Sequence, residues 1–451
     1  METPICDFAR KYTDSDVLRA HMPGHKGCAF LGMEQLDITE INGADSLYEA
    51  NGIIRQSEQN AGALFGSETF YSTEGSSLCI RAMLYLSVLY AGRKGKRPVI
   101  AAGRNAHKAF LSAAVLLDLD VVWLYPERQD SYLSCKICAD ELDAVLSGAE
   151  EKPAAVYLTS PDYLGNMVDL GSIAQVCHRH GVLLLVDNAH GAYLKFLPES
   201  RHPIDLGADI CCDSAHKTLP VLTGGAYLHI SPNAQKEFSE RAKTALAMFG
   251  STSPSYLILQ SLDAANRYLA EGYPQRLRGF IRQVGELKRK LADHGYCLCS
   301  DEPLKLTIAA KPFGYTGIQL AHLLESHKII CEFADPDFMV LMLTPETGVD
   351  GLQRLEDVLL SVPERPPVTI RPPCFHPAEQ AVRIRDAAFA PCEKIPVTQC
   401  AGRILAAPSV GCPPAVPIAV IGERLDRFAV ECFRYYGVTH CTVVAQDKSL
   451  I

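Results

Sequence analysis

The chain has 451 residues, 48% hydrophobic and 21% charged, which is the balance of a folded globular protein and not of a disordered one. A formal net charge of −9 argues against general nucleic-acid binding, which needs a basic surface. There is no uninterrupted apolar run of the roughly 18 residues a membrane span requires, and the opening METPICDFARKYTDSD has neither the basic nor the apolar region of a secretory signal, so a cytoplasmic protein is expected.

In chain order, Ser76 to Ala91 carries Leu, Ile, Met and Ala at helical spacing. The basic run Arg93-Lys94-Gly95-Lys96-Arg97 then reads as a solvated loop. Val99–Ala102 is a short strand, Ala106–Leu117 a helix and Val121–Tyr125 a strand. Glu141–Ser147 is helical and Ala154–Thr159 a strand. Ile173–His180 is a helix, followed by the aliphatic run Val182–Val186 ending at Asp187. Asp209–Cys212 and Ala226–Ile230 are two further strands. Repeated alternation of helices with apolar, non-alternating strands implies a mainly parallel sheet covered on both faces. Ligands bind such sheets at the carboxyl ends of the strands.

From about Pro254 the pattern changes. Tyr256–Ala270 and Gln275–Leu291 are long helices. A smaller α+β pattern follows: strand Leu304–Ala309, helix Thr316–Ser326, strand Val340–Thr344 and helix Leu352–Ser361. Pro363–Pro377 reads as a linker. Residues 378–451 have weak periodicity and a proline cluster at Pro413, Pro414 and Pro417. The expected division is 1–50 as an N-terminal segment, 51–253 as the large domain, 254–365 as a small α+β domain and 366–451 as a C-terminal domain.

The 17 cysteines are scattered without a compact framework, which fits reduced thiols. Cys135 and Cys138 have CxxC spacing but no second pair. Cys177, His178 and His180 read as a mixed helix face, and no metal site is expected.

Three features fall at strand ends or a helix start. Asp187 follows the aliphatic run, and Lys217 follows the strand Asp209–Cys212. Gly75-Ser76-Ser77 opens a helix, where free backbone N–H groups favour a phosphate. A lysine, a carboxylate and a phosphate cradle are the parts needed to hold pyridoxal phosphate (PLP). Taken singly, each has an ordinary structural reading: a loop cap, a solvated charge and a helix cap.

Beyond these residues, several strings resemble the Orn/Lys/Arg decarboxylase family. They are HMPGHKG at 21–27, DITEINGADSLYEANGII at 37–54, RNAHKA at 104–109 and TSPDYLGNMVDL at 159–170. DNAHGAY at 187–193, SAHKTLPVLTGGAYLH at 214–229, STSPSYLILQSLDAA at 251–265, CEFADPDFMVLML at 331–343 and GRILAAPSVGCPPAVPI at 402–418 continue the likeness. The chain is similar to the short form of the family. The resemblance implies an α/β fold: a PLP-dependent transferase-like large domain with a mainly parallel seven-stranded sheet, plus a smaller α+β domain.

It also implies residue roles. Lys217 would be the Schiff-base lysine, and Asp187 would pair with the pyridine nitrogen. His107 would stack on the ring, and His190 would lie close to the cofactor. Gly75, Ser76, Ser77, Ser214 and His216 would bind the phosphate. Ser251-Thr252-Ser253 would either reach a neighbouring subunit's phosphate or simply precede a helix. Lys26, in the HMPGHKG stretch, would be structural. Glu74, Asp162 and Glu332 are the acids expected to meet a basic substrate. The chain departs from the family pattern at Glu74, Asp162, Asn188, Tyr193 and Gly224; the family usually has Glu where Asn188 stands. The implied reaction is decarboxylation of arginine or lysine, with ornithine behind them, in a homodimer or larger homo-oligomer. The alternatives are another PLP reaction (aminotransferase or aldolase), a decarboxylase of a modified amino acid, and a non-catalytic homologue.

Overall fold

Seven strands form the large sheet in the computed structural model, which describes residues 1–92, 98–127, 131–408 and 414–446. The strands are β1 (Glu68–Ser72), β2 (Val99–Gly103), β3 (Asp120–Leu124), β4 (Ala155–Thr159), β5 (Leu183–Asp187), β6 (Ile210–Asp213) and β7 (Ala226–Ile230). The fold is α/β with a mostly parallel sheet, as expected. The basic run at 93–97 and Pro413 lie outside the described residues.

The chain divides into two compact units. The first joins Met1–Tyr90 to Leu170–Arg278, and the second joins Ala91–Asp169 to Gly279–Ile451. In the first unit the strand order is β1-β7-β6-β5. β7 runs antiparallel to β1 and β6, while β5 and β6 are parallel, with Asp187 opposite Cys212. All five residues of β5 are buried, which explains its unbroken aliphatic run. Each buried Leu or Val there stabilises the fold by about 1.5–3 kcal/mol. Because the run ends at Asp187, burial of the strand fixes where that carboxylate emerges.

The second unit holds β2 parallel to both β3 and β4. It also holds β8 (Cys297–Leu298), β9 (Lys305–Ala309), β10 (Phe333–Ala334), β11 (Phe338–Met342), β12 (Cys392–Pro396), β13 (Leu405–Ala407) and β14 (His440–Val444). These make a four-stranded sheet, β10-β11-β9-β8, and a three-stranded one, β12-β14-β13. The strand expected at Val340–Thr344 starts and ends two residues earlier, because Thr344 instead caps the 3-10 turn Pro345–Thr347.

The region beyond residue 378 shares a core with earlier parts of the second unit. Ile395, Leu405, Phe433 and Val443 are buried together with Tyr132 and Tyr163. Arg104 is 2% exposed and pairs with Glu423, 1% exposed, at 3.2 Å. Its guanidinium also donates to the carbonyls of Pro417 and Ile418, pinning the proline-rich loop. No helix among the described residues is long and apolar enough to cross a membrane.

Candidate active site

In the first unit, β5 and β6 end side by side and present the chemistry. Ser214 follows β6 and precedes the single turn Ala215–Thr218, which carries Lys217. The Lys217 backbone N–H donates to the Ser214 carbonyl at 3.0 Å. Its Nζ lies 3.0 Å from Nε2 of His190, which is buried three residues after Asp187. Asp187 is 2% exposed, and its Oδ1 accepts from the Ala189 N–H at 3.2 Å. The structure therefore brings Lys217 and His190 together at the strand ends where Asp187 emerges.

The helix Gly75–Gly92 begins beside this turn. Ser214 Oγ donates to Ser76 Oγ at 2.8 Å. The Gly75 N–H donates to the Gly224 carbonyl at 2.7 Å, and the His216 N–H to the Gly225 carbonyl at 3.2 Å. Gly75 has φ +70, and a side chain there would first meet the His216 ring, at 4.0 Å. Gly224, one of the departures from the family, has φ +102, and a Cβ would come within 2.8 Å of the Thr73 carbonyl oxygen. Only glycine takes that backbone without strain. The start of the Gly75–Gly92 helix, Ser76, Ser214 and the His216 backbone are thus joined through one set of short contacts.

Beneath these residues is a hub the sequence did not suggest. Asp213, the last residue of β6, is fully buried. Its Oδ1 accepts from Asn188 Nδ2 at 2.7 Å. Its Oδ2 accepts from Nε2 of His202 at 3.0 Å and of His229 at 3.2 Å. Burial opposes ionisation, but the two imidazoles hold the Asp213 carboxyl well below the usual carboxylate range. Burial pushes the His229 pKa down, against the pull of Asp213. Asp213 links Asn188, next to Asp187, to Ser214, three residues before Lys217. Donor atoms of His202, Cys211 and Asp213 lie within 4.8 Å of one another, but hydrogen bonds within the protein occupy both oxygens of the carboxylate.

Of the remaining expected residues, Glu74 belongs to the first unit and His107, Asp162 and Glu332 to the second. His107, in the second unit, caps the helix Lys108–Leu116, its Nδ1 accepting from the Ala109 N–H. Asp162 is buried, and its oxygens accept from the Leu164 and Asn166 N–H groups and from Asn166 Nδ2. The carboxylate thus holds its own loop. Glu74 is exposed, and its Oε1 accepts from the Ser251 N–H at 2.6 Å, so it braces the Ser251–Ser253 segment. The cap of the following helix, Tyr256–Ala270, is Ser255. Glu332 is exposed, and its Oε1 accepts from the Tyr163 hydroxyl at 2.8 Å. Cys138 caps the helix Ala139–Gly148, and His178 meets Asp209 at 3.2 Å.

A family model described as "Orn/Lys/Arg decarboxylase, major domain" matches residues 3–299. The chain belongs to the Orn/Lys/Arg decarboxylase family. By that membership it is an enzyme, a decarboxylase. The arginine decarboxylase of Halalkalibacterium halodurans is 30% identical over 468 residues, covering 94% of this chain and 91% of the relative. That of Bacillus subtilis is 29% identical over 474 residues, covering 94% and 92%. The crystal structure of the Francisella novicida lysine decarboxylase LdcF aligns with a TM-score of 0.81 at 17% identity, covering 98% of this chain and 81% of that one, and supports the fold.

Proposed function

We propose that this decarboxylase acts on a basic L-amino acid, arginine or lysine ahead of ornithine, with PLP as cofactor and Lys217 as its anchoring amine. The carrying observation is the placement of Lys217 Nζ 3.0 Å from His190 Nε2, where the parallel strands β5 and β6 end. The polar turn of Gly75, Ser76, Ser77, Ser214 and His216 fits the phosphate, and Asp187 fits the pyridine nitrogen. PLP, when bound, supplies an electron sink for the pair left at Cα as CO₂ departs.

The residues divide the remaining work. Asp187 keeps the ring nitrogen protonated by charge pairing. Lys217 would be the amine that holds the cofactor, and its Nζ would return a proton to the substrate Cα. His190 Nε2, in hydrogen-bond reach of Lys217 Nζ, moves protons on and off that amine. His107 is proposed as the ring's stacking partner. Glu332 is the acid retained for the distal cation of the substrate.

The test is product analysis by mass spectrometry. Protein and PLP are incubated with arginine, lysine and ornithine in parallel, with Lys217→Ala as the blank. Agmatine, cadaverine or putrescine is expected from the intact chain alone. No amine from any of the three, with PLP still held, would overturn the basic-substrate reading in favour of a modified amino acid or another PLP reaction.

The reading includes self-association. Leu18, Phe30 and Leu31 are 89%, 79% and 85% exposed near the N-terminus, an apolar surface that a lone chain would leave in water. Light scattering should give at least twice the chain mass. A monomer at micromolar concentration would refute it.

A further inference from the structure

The second unit contains a cavity of about 320 Å³ walled by Tyr132, Phe333, Val416, Tyr435 and Tyr436, with Asp335 among its lining residues. Asp335 stands in the turn between β10 and β11 and is 6% exposed. Its Oδ1 accepts from the Asp337 and Phe338 N–H groups, both at 2.7 Å. Its Oδ2 accepts nothing, a costly state for a buried carboxylate oxygen. The neighbouring acid is different. Asp337 is met by Lys311 Nζ at 2.6 Å, the Tyr435 hydroxyl at 2.7 Å and the Tyr436 hydroxyl at 3.1 Å. Lys311 thus serves Asp337 and leaves the Asp335 oxygen without a hydrogen-bond donor.

None of the described residues lining the cavity is a lysine or arginine. A ligand with its own carboxylate would find no cationic partner among these lining residues. A cationic head on an apolar stem would be attracted by the buried Asp335 carboxylate and by the aromatic side chains of the wall. We infer that this cavity is a binding site for a small organic cation without a carboxylate, an alkylammonium or alkylguanidinium, held by Asp335.

Burial pushes the Asp335 carboxyl up to about 6, with Asp337 adding to the rise and the two amides and Lys311 opposing it. The other titratable groups facing it are Asp337, Lys311 and the phenols of Tyr132, Tyr435 and Tyr436. Burial pushes all three phenols up, so they stay neutral through the range of interest. Binding should therefore weaken from pH 7.5 to pH 5 as Asp335 takes up a proton.

The probe is agmatine, chosen because the proposed reaction would release it from arginine. The site itself does not depend on that reaction. Calorimetric titration uses the Lys217→Ala holoprotein, which cannot turn over. Adding Asp335→Asn should weaken agmatine at least tenfold and flatten its pH dependence, since Asn keeps an oxygen for the two amides while losing the charge. Ile318→Trp, at a 41% exposed position on the cavity wall, should weaken agmatine by filling space. It carries the test if the asparagine variant fails to fold. Arginine should not displace the Asp335-dependent component. Agmatine affinity unchanged in either folded variant, or arginine competing as well as agmatine, would overturn the inference. A wild-type chain that releases no amine, yet binds agmatine through Asp335, would separate failure of the proposed reaction from failure of this site.

Discussion

Asp187→Asn is expected to cut amine release on the order of 10³-fold while leaving the fold in place. A neutral amide of nearly the same shape can still accept from the Ala189 N–H, as Asp187 Oδ1 does at 3.2 Å. It cannot hold a proton on the pyridine nitrogen by charge. A buried carboxylate acting on charge that develops during reaction is worth several kcal/mol, and 10³-fold corresponds to about 4 kcal/mol at about 1.36 kcal/mol per tenfold. Because the interaction strengthens as the reaction proceeds, kcat should fall much more than KM rises. Steady-state kinetics with the favoured amino acid checks this, alongside the absorbance spectrum of bound cofactor. A variant that keeps PLP and loses less than tenfold in kcat would show that Asp187 does not hold the ring nitrogen.

Much of the arrangement around Lys217 was legible because its members are local to strand ends. The aliphatic run before Asp187 marks a strand buried on both faces, and its last residue must emerge at the carboxyl edge. The strand before Lys217 announces itself in the same way. The helix start at Gly75-Ser76-Ser77 is likewise a local pattern, so spacing along the chain was enough to find it. The Asp213 hub has no such signature. Its donors, Asn188, His202 and His229, come from separate segments, and each reads alone as an ordinary polar residue. Asp162 shows the converse limit: sequence marks an acid beside a strand but not that its oxygens accept from Leu164 and Asn166 of its own loop. The C-terminal sheet was missed because β12, Cys392–Pro396, is exposed at four of its five positions and shows no hydrophobic alternation. Likewise β1, Glu68–Ser72, is short and buried on both faces after its first residue, so it lacks the period of two that marks a half-exposed strand.

Asp213→Ala should cost about 3–5 kcal/mol of stability, the range for removing one partner of a buried, hydrogen-bonded ion pair. Total stability is commonly only about 5–15 kcal/mol, so the variant should unfold at markedly lower urea. The loss arises because Asn188 Nδ2 and the Nε2 atoms of His202 and His229 would be left buried without their acceptor. The other ring nitrogen of His229 lies 2.9 Å from the Thr69 hydroxyl, which can donate to it, so the neutral ring already uses both nitrogens. The acid limb of stability follows from the two shifts. His229 has its folded pKa lowered by burial, so its contribution is complete above about 6.5 and declines as pH falls toward the folded value. Asp213 is lowered too, so its contribution is complete above about 3.9 and is lost as pH falls through its much lower folded value. The stability these two groups contribute should therefore begin to fall below about pH 6.5 and fall again below about pH 4. The variant should keep the first decline and lose only Asp213's share of the second, because Glu34, Asp45 and Asp205 are also held low and keep theirs. Urea unfolding at pH 7.5, 5 and 3.5 measures both effects. A loss below about 1 kcal/mol at pH 7.5, small beside the range for such pairs, would mean that the buried imidazoles find other acceptors and that Asp213 does not tie the Asp187 strand to the lysine turn.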